Sequence, residues 1–102
     1  MIKVNFFSDS ASFGYDISGH AYYSSPGTDI ICAAVSSLHL SLLSVLEADG
    51  HSFSFSDGEV KKVFASSPDA FPFFRLVYMG FLRLSAQFPD FISIYGSLPA
   101  NR

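Results

Sequence analysis

The chain has 102 residues, enough for a single domain over 1–102 with one modest core. At 49% hydrophobic and 15% charged residues, the composition excludes a disordered chain. The net charge is −3 and only Lys61 and Lys62 are adjacent, which excludes a nucleic-acid surface, since that needs clustered positive charge against phosphates.

Residues 2–8 and 12–18 alternate apolar and polar side chains with period two, and Asp9, Ser10 and Ala11 separate them. Phe13, Tyr15 and Ile17 share one face of the second run, so the pair reads as a hairpin of half-buried strands. Residues 19–27 show no period and contain Gly19, Pro26 and Gly27, the pattern of a loop. Thr28 or Asp29 then caps a helix that runs to about Ala48 and ends at Asp49-Gly50. Ile31, Val35, Leu38, Leu42 and Val45 form its core stripe. Ser37, Ser41, Ser44 and Ala48 form a second face, small enough for another element to approach closely.

No charged side chain occurs from Ile30 to Leu46, a length that approaches a membrane span. The stretch holds His39 and four serines, and Asp29 and Glu47 bracket it, so a buried helix and no membrane contact are expected.

Phe53 and Phe55 alternate with serines, and Asp57-Gly58 is a hairpin signal leading into a strand over 59–65. Ser67-Pro68-Asp69 opens a second helix whose regular part Pro72 delays. Its stripe is Phe74, Val77, Phe81, Leu84 and Phe88, and Tyr78, Leu82 and Met79 widen it beyond one face. Pro89 stops the helix, and 91–95 is a last short strand. The order ββαββαβ predicts an α+β fold with two helices packed on a mostly antiparallel sheet. Twelve Phe and five Tyr are many for one small core, which points to a partner or an oligomer. The N-terminal residues show no apolar run suited to a secretion leader, and one cysteine makes no intramolecular disulfide; a reducing, cytoplasmic setting is expected.

Cys32 falls in the first turn of the first helix, where unpaired amides and the helix dipole favour the thiolate, the reactive form of cysteine. Three histidines compete to be its base. His51 lies beyond the far end of the helix. His39 is seven residues on, on the same face but about 10 Å away. His20 starts the loop that returns to the helix N-terminus, and twelve residues suffice to bring its imidazole back to the sulfur. A lone cysteine in a helix also fits a small buried hydrophobe, and Asp29 fits an N-cap as well as an orienting carboxylate. Ser36 fits a helix serine bonded to a backbone carbonyl. Zinc would want three or four ligands in close pairs, which Cys32, His20 and Asp29 do not form, so no metal or cofactor is expected.

Gly19-His20-Ala21, six residues, then Thr28-Asp29-Ile30-Ile31-Cys32-Ala33-Ala34-Val35-Ser36 resembles the signature of the ribosomal-processing cysteine protease (Prp) family. Gly27 stands seven after His20 and Cys32 twelve after it, as in that signature, and Ile31 in place of Val is the sole change in the core block. The resemblance implies a Cys–His peptidase, usually a homodimer, that removes the N-terminal extension of large-subunit ribosomal protein twenty-seven. By matched position it makes Cys32 the nucleophile, His20 the base, and Asp29 and Ser36 supporting residues. Gly19 and Gly27 would flank a mobile loop that opens for the peptide. Aromatic residues near the cut site of family substrates make Tyr22 and Tyr23 candidates for lining the pocket; packing of the loop on the sheet serves them equally well. The second helix departs from relatives in being rich in Phe and poor in acidic residues, and Pro26 stiffens the loop. The competing expectation is a non-enzymatic dimeric binding module, a ribosome-assembly or adaptor protein, which uses the surplus aromatic surface and needs no Cys32.

Overall fold

The computed structural model describes residues 1–21 and 29–101. The elements follow in the order β1 (Ile2–Ser8), β2 (Phe13–Ser18), α1 (Ile30–Ala48), β3 (Phe53–Asp57), β4 (Lys61–Ala65), a 3-10 turn (Pro68–Ala70), α2 (Phe71–Gln87) and β5 (Ile92–Tyr95). This is the expected ββαββαβ arrangement. One five-stranded sheet has the spatial order β3-β4-β2-β1-β5, antiparallel except where β5 runs parallel to β1.

Local chemistry explains the turns. Asp9 closes the first hairpin: its Oδ1 accepts from the amides of Ala11 and Ser12, both at 2.8 Å. The second hairpin departs from the sequence expectation. Asp57 pairs with Lys61, so Gly58, Glu59 and Val60 form a three-residue connection and β4 begins at Lys61. Gly58 is not among the glycines with positive φ, so the two-residue turn that Asp-Gly suggests does not form. Pro68 opens the 3-10 turn and Pro72 sits in the first turn of α2, where an absent amide costs no intrahelical bond.

Both helices bury one face in a core shared with the sheet. The buried face of α1 is Ile31, Val35, His39, Leu42 and Leu46, which keeps three positions of the expected stripe and puts His39 and Leu46 in place of Leu38 and Val45. Leu38 and Val45, expected in that stripe, are half-buried instead. A Cβ added to Gly80 of α2 would lie 3.0 Å from Leu38 Cδ1, so the helices meet where α2 has no side chain. Helix contact therefore runs through Leu38, and the small face of Ser37, Ser41, Ser44 and Ala48 is exposed. In α2 the fully buried positions are Phe71, Phe74, Val77 and Phe81; Leu84 and Phe88 are half-buried. Phe13 meets Phe71 and Phe74 edge-on at 5.1 Å, and Tyr15 meets Phe81 at 5.6 Å. One core thus absorbs most of the large rings, while Phe55, Leu76 and Met79 stay outside it. Helix α1 is long and apolar enough to cross a membrane by length and composition, but its buried face belongs to this core.

Candidate active site

Strand β2 ends at Ser18, and Gly19 turns the chain out of the sheet with φ +81. A Cβ at Gly19 would fall against the carbonyl oxygen of Met1, so only glycine fits where β2 hands over to His20. Residues 22–28 lie outside the described residues, and with them Tyr22, Tyr23 and Gly27.

Helix α1 starts on Asp29, in extended conformation at φ −74 and ψ 105. Its Oδ1 accepts from the amides of Ile31 at 2.9 Å and Cys32 at 3.1 Å, and its carbonyl takes the first intrahelical bond, from Ala33 at 3.1 Å. Asp29 is the N-cap. Its other oxygen, Oδ2, accepts from Cys32 Sγ at 3.5 Å, so one carboxylate ties down both the helix end and the thiol. The amides of Ile31 and Cys32 are consequently not the unpaired donors that their place in the first turn suggests, because an aspartate reaches them before any substrate does.

Cys32 is half-buried and faces a cavity of about 660 Å³. Gly19, His20, Cys32, Ser36 and His39 line one side of it. The β3–β4 connection, Gly58 to Lys61, lines the other, with Lys61 held to Asp57 at 4.0 Å. The structure therefore brings four expected residues, Gly19, His20, Cys32 and Ser36, to one pocket, and attaches the fifth, Asp29, to the sulfur. His51 is elsewhere, against the ring of Phe73 at 5.7 Å. No group of three His, Cys, Asp or Glu side chains suited to a metal ion occurs among the described residues.

His39 is the residue that the sequence reading sets aside. It is 1% exposed, lines the pocket two turns below Cys32, and its Nδ1 is 2.8 Å from the Tyr15 hydroxyl. Burial pushes the His39 imidazole below its usual pKa; nearby Lys61 adds to the effect and Asp57 opposes it. Burial likewise holds the Tyr15 phenol well above its ordinary value. A signal existed: a tyrosine between Phe13 and Ile17 on a core face needs a partner for its hydroxyl, and a histidine on the core side of the facing helix supplies one.

The family model for the cysteine protease Prp matches residues 1–93. The chain belongs to the Prp cysteine protease family. Three solved structures share the fold, each aligned over nearly all of both chains. SMU.848 from Streptococcus mutans is 24% identical, with a TM-score of 0.77 over 93% of this chain and 92% of that one. The essential ribosomal processing protease Prp from S. aureus, with a covalently linked product peptide, is 16% identical, with a TM-score of 0.76 over 93% and 98%. The same S. aureus protease with a substrate peptide gives 16% identity and a TM-score of 0.71 over 94% and 100%. No curated protein matches the chain.

Within the Prp family a cysteine protease needs a nucleophilic sulfur, a base within reach and room for a peptide. Cys32 is the only cysteine of the chain. It stands at a helix start, on a cavity that also holds His20. The pocket walls combine apolar surface from Ile2, Ile17, Val35 and Val60 with the polar groups of His20, Ser36 and Lys61, the mixture common in ligand clefts.

Proposed function

We propose that Cys32 is the nucleophile and His20 the general base of this Prp-family protease. We further propose that it removes the N-terminal extension of large-subunit ribosomal protein twenty-seven, as a cytoplasmic homodimer. The observation that carries the assignment is the meeting of Cys32 and His20 on one cavity with Ser36, from separated stretches of chain. The S. aureus relative, a ribosomal processing protease seen with substrate and product peptides, supports the substrate class.

The reaction is acyl transfer. His20 takes the thiol proton, which in the resting site is directed at Asp29 Oδ2, and the sulfur attacks the scissile carbonyl carbon. The carbon–nitrogen bond breaks as His20 returns the proton to the leaving amine, and a thioester to Cys32 remains. Water, deprotonated by His20, then splits the thioester and regenerates the thiol. With the Ile31 and Cys32 amides capped, donors for the oxyanion come from elsewhere on the pocket wall or from a shift of Asp29. Exposed apolar side chains on the two helices, Ile30 and Leu40 on α1 and Leu76 and Met79 on α2, support association of two copies.

The test is incubation of the protein, beside its Cys32→Ser variant, with a peptide spanning the extension of its own organism's ribosomal protein and the junction. Cleavage by the parent alone, with unchanged circular dichroism in the variant, is the expected result. Cleavage by Cys32→Ser rules out the nucleophile, and cleavage by His20→Ala rules out the base. Binding without cleavage by the parent favours the adaptor reading.

A further inference from the structure

Tyr15 is fully buried, and its hydroxyl meets His39 Nδ1. Two proton arrangements satisfy that 2.8 Å contact. If Nδ1 carried the proton, the phenol hydrogen would need a second acceptor inside an apolar core, and leaving it without one is costly. The phenol must therefore donate to Nδ1. Both groups are held neutral by burial, so the ring proton of His39 resides on Nε2. Among the described residues no buried side-chain nitrogen or oxygen lacks a partner, and Nδ1 is already used. Nε2 thus has its opening on the cavity that the ring lines.

We propose that His39 is a substrate-binding residue, presenting Nε2–H to a carbonyl oxygen of the bound peptide, and that Tyr15 positions it by fixing the tautomer. This inference rests on the peptidase reading of the same pocket. Seven helical residues separate Cys32 from His39, about 10 Å along the axis, and an extended peptide advances about 3.3 Å per residue. For a peptide lying along α1 from Cys32, the acceptor is then about three residues from the scissile bond. A fixed neutral donor on a buried ring discriminates strongly, since a peptide placing an apolar group there would leave Nε2–H unpaired. The carbonyl belongs to a main-chain amide or to an Asn or Gln side chain, and both offer the same acceptor.

The test measures affinity of a labelled extension peptide for Cys32→Ser, so that binding is read without turnover, in backgrounds carrying His39→Leu, His39→Gln or Tyr15→Phe. His39→Leu should weaken binding about tenfold, the loss of one buried hydrogen bond that leaves its partner unpaired. His39→Gln, whose amide reaches the Nε2 position, should bind within about twofold of the parent background, a rescue that mere core packing would not give. Tyr15→Phe should weaken binding about threefold by releasing the tautomer. Long-range ¹H–¹⁵N spectra of the parent at neutral pH should show the Nε2-protonated form. In the active enzyme His39→Leu should raise KM with little change in kcat, and iodoacetamide should alkylate Cys32 at the parent rate. Unchanged affinity in folded His39→Leu, or an Nδ1-protonated ring, overturns the proposal. Absence of cleavage by the parent with these affinity losses intact overturns the peptidase reading alone, and absence of binding to Cys32→Ser overturns both.

Discussion

The buried face of α2 and the first half of α1 face the same sheet and are built on opposite terms. From α2 come Phe71, Phe74, Val77 and Phe81, without a polar atom, and these rings interlock edge-on with Phe13 and Tyr15. The N-terminal half of α1 supplies Ile31 and Val35, but then a fully buried histidine, with half-buried Cys32 and Ser36 beside a cavity. Protein interiors are close-packed, and the cleft of about 660 Å³ that opens to solvent beside these residues interrupts that packing at the surface. The chain closes its packing under α2 and leaves it open under α1, where the sulfur and the buried imidazole are each tied to a neighbour. That contrast separates a half of the molecule packed without polar atoms from a half that carries the polar groups and the pocket.

Substitutions should break the contrast in a definite order. Phe74→Ala removes a fully buried ring from the α2 side and should cost about 3–5 kcal/mol in denaturant unfolding. The molecules that stay folded should keep the parent kcat/KM. A cost below about 1 kcal/mol would mean that the aromatic cluster is not the centre of the core. Gly19→Ala should cost less, about 1–3 kcal/mol, because φ +81 is strained for alanine and its Cβ meets Met1. Here activity should fall further than stability, since the turn aims His20 at the cavity. A lowered Tm with unchanged kcat/KM in Gly19→Ala would detach that turn from the site.

Much of this was legible in the residues, and the misses have physical causes. Period-two runs and the first helix pattern located β1, β2 and α1 because half-burial leaves a regular imprint. The face of α1 was misread at Leu38 and Val45, since a helix apolar on most sides offers no contrast from which to choose, and Leu38 is taken up by the glycine of α2. Asp57-Gly58 overstated a two-residue turn, because the register of β3 against β4 decides the connection. At the site, spacing along the chain assembled His20, Cys32 and Ser36. Spacing does not reveal His39, which is too far along the helix to reach the sulfur and whose partner, the Tyr15 hydroxyl, comes from a strand distant in sequence. The cap by Asp29 follows from the sequence, as one of its two candidates, whereas the bond from Cys32 Sγ to the second oxygen of Asp29 does not: a cap position says which amides are claimed, not where the other carboxylate oxygen points.

His39 gives the contrast a pH dependence. Its folded-state pKa lies below the usual value near 6.5, so the folded chain resists a proton that the unfolded chain accepts. The stability it contributes is fully present above about pH 6.5 and is lost as pH falls toward the folded value, by up to about 1.4 kcal/mol per pH unit. Thermal unfolding between neutral pH and mild acid should show this slope, and His39→Leu should flatten it. Phe74→Ala, on the other side of the molecule, should lower the whole curve and keep its shape.

The smallest effect is the most discriminating for the site. Asp29→Ala removes the cap from α1 and should cost about 1 kcal/mol, whereas Asp29→Asn, an equally good cap, should unfold within about 0.5 kcal/mol of the parent. Stability alone therefore separates the two variants, and activity should not follow it. Asparagine keeps the amides of Ile31 and Cys32 engaged but takes away the carboxylate that receives the Sγ proton; alanine releases both amides and the sulfur together. If those amides serve the oxyanion only after Asp29 moves aside, Asp29→Ala should retain more kcat than Asp29→Asn despite being the less stable protein. If activity instead tracks stability across the pair, Asp29 acts on the reaction only as the residue that starts the helix.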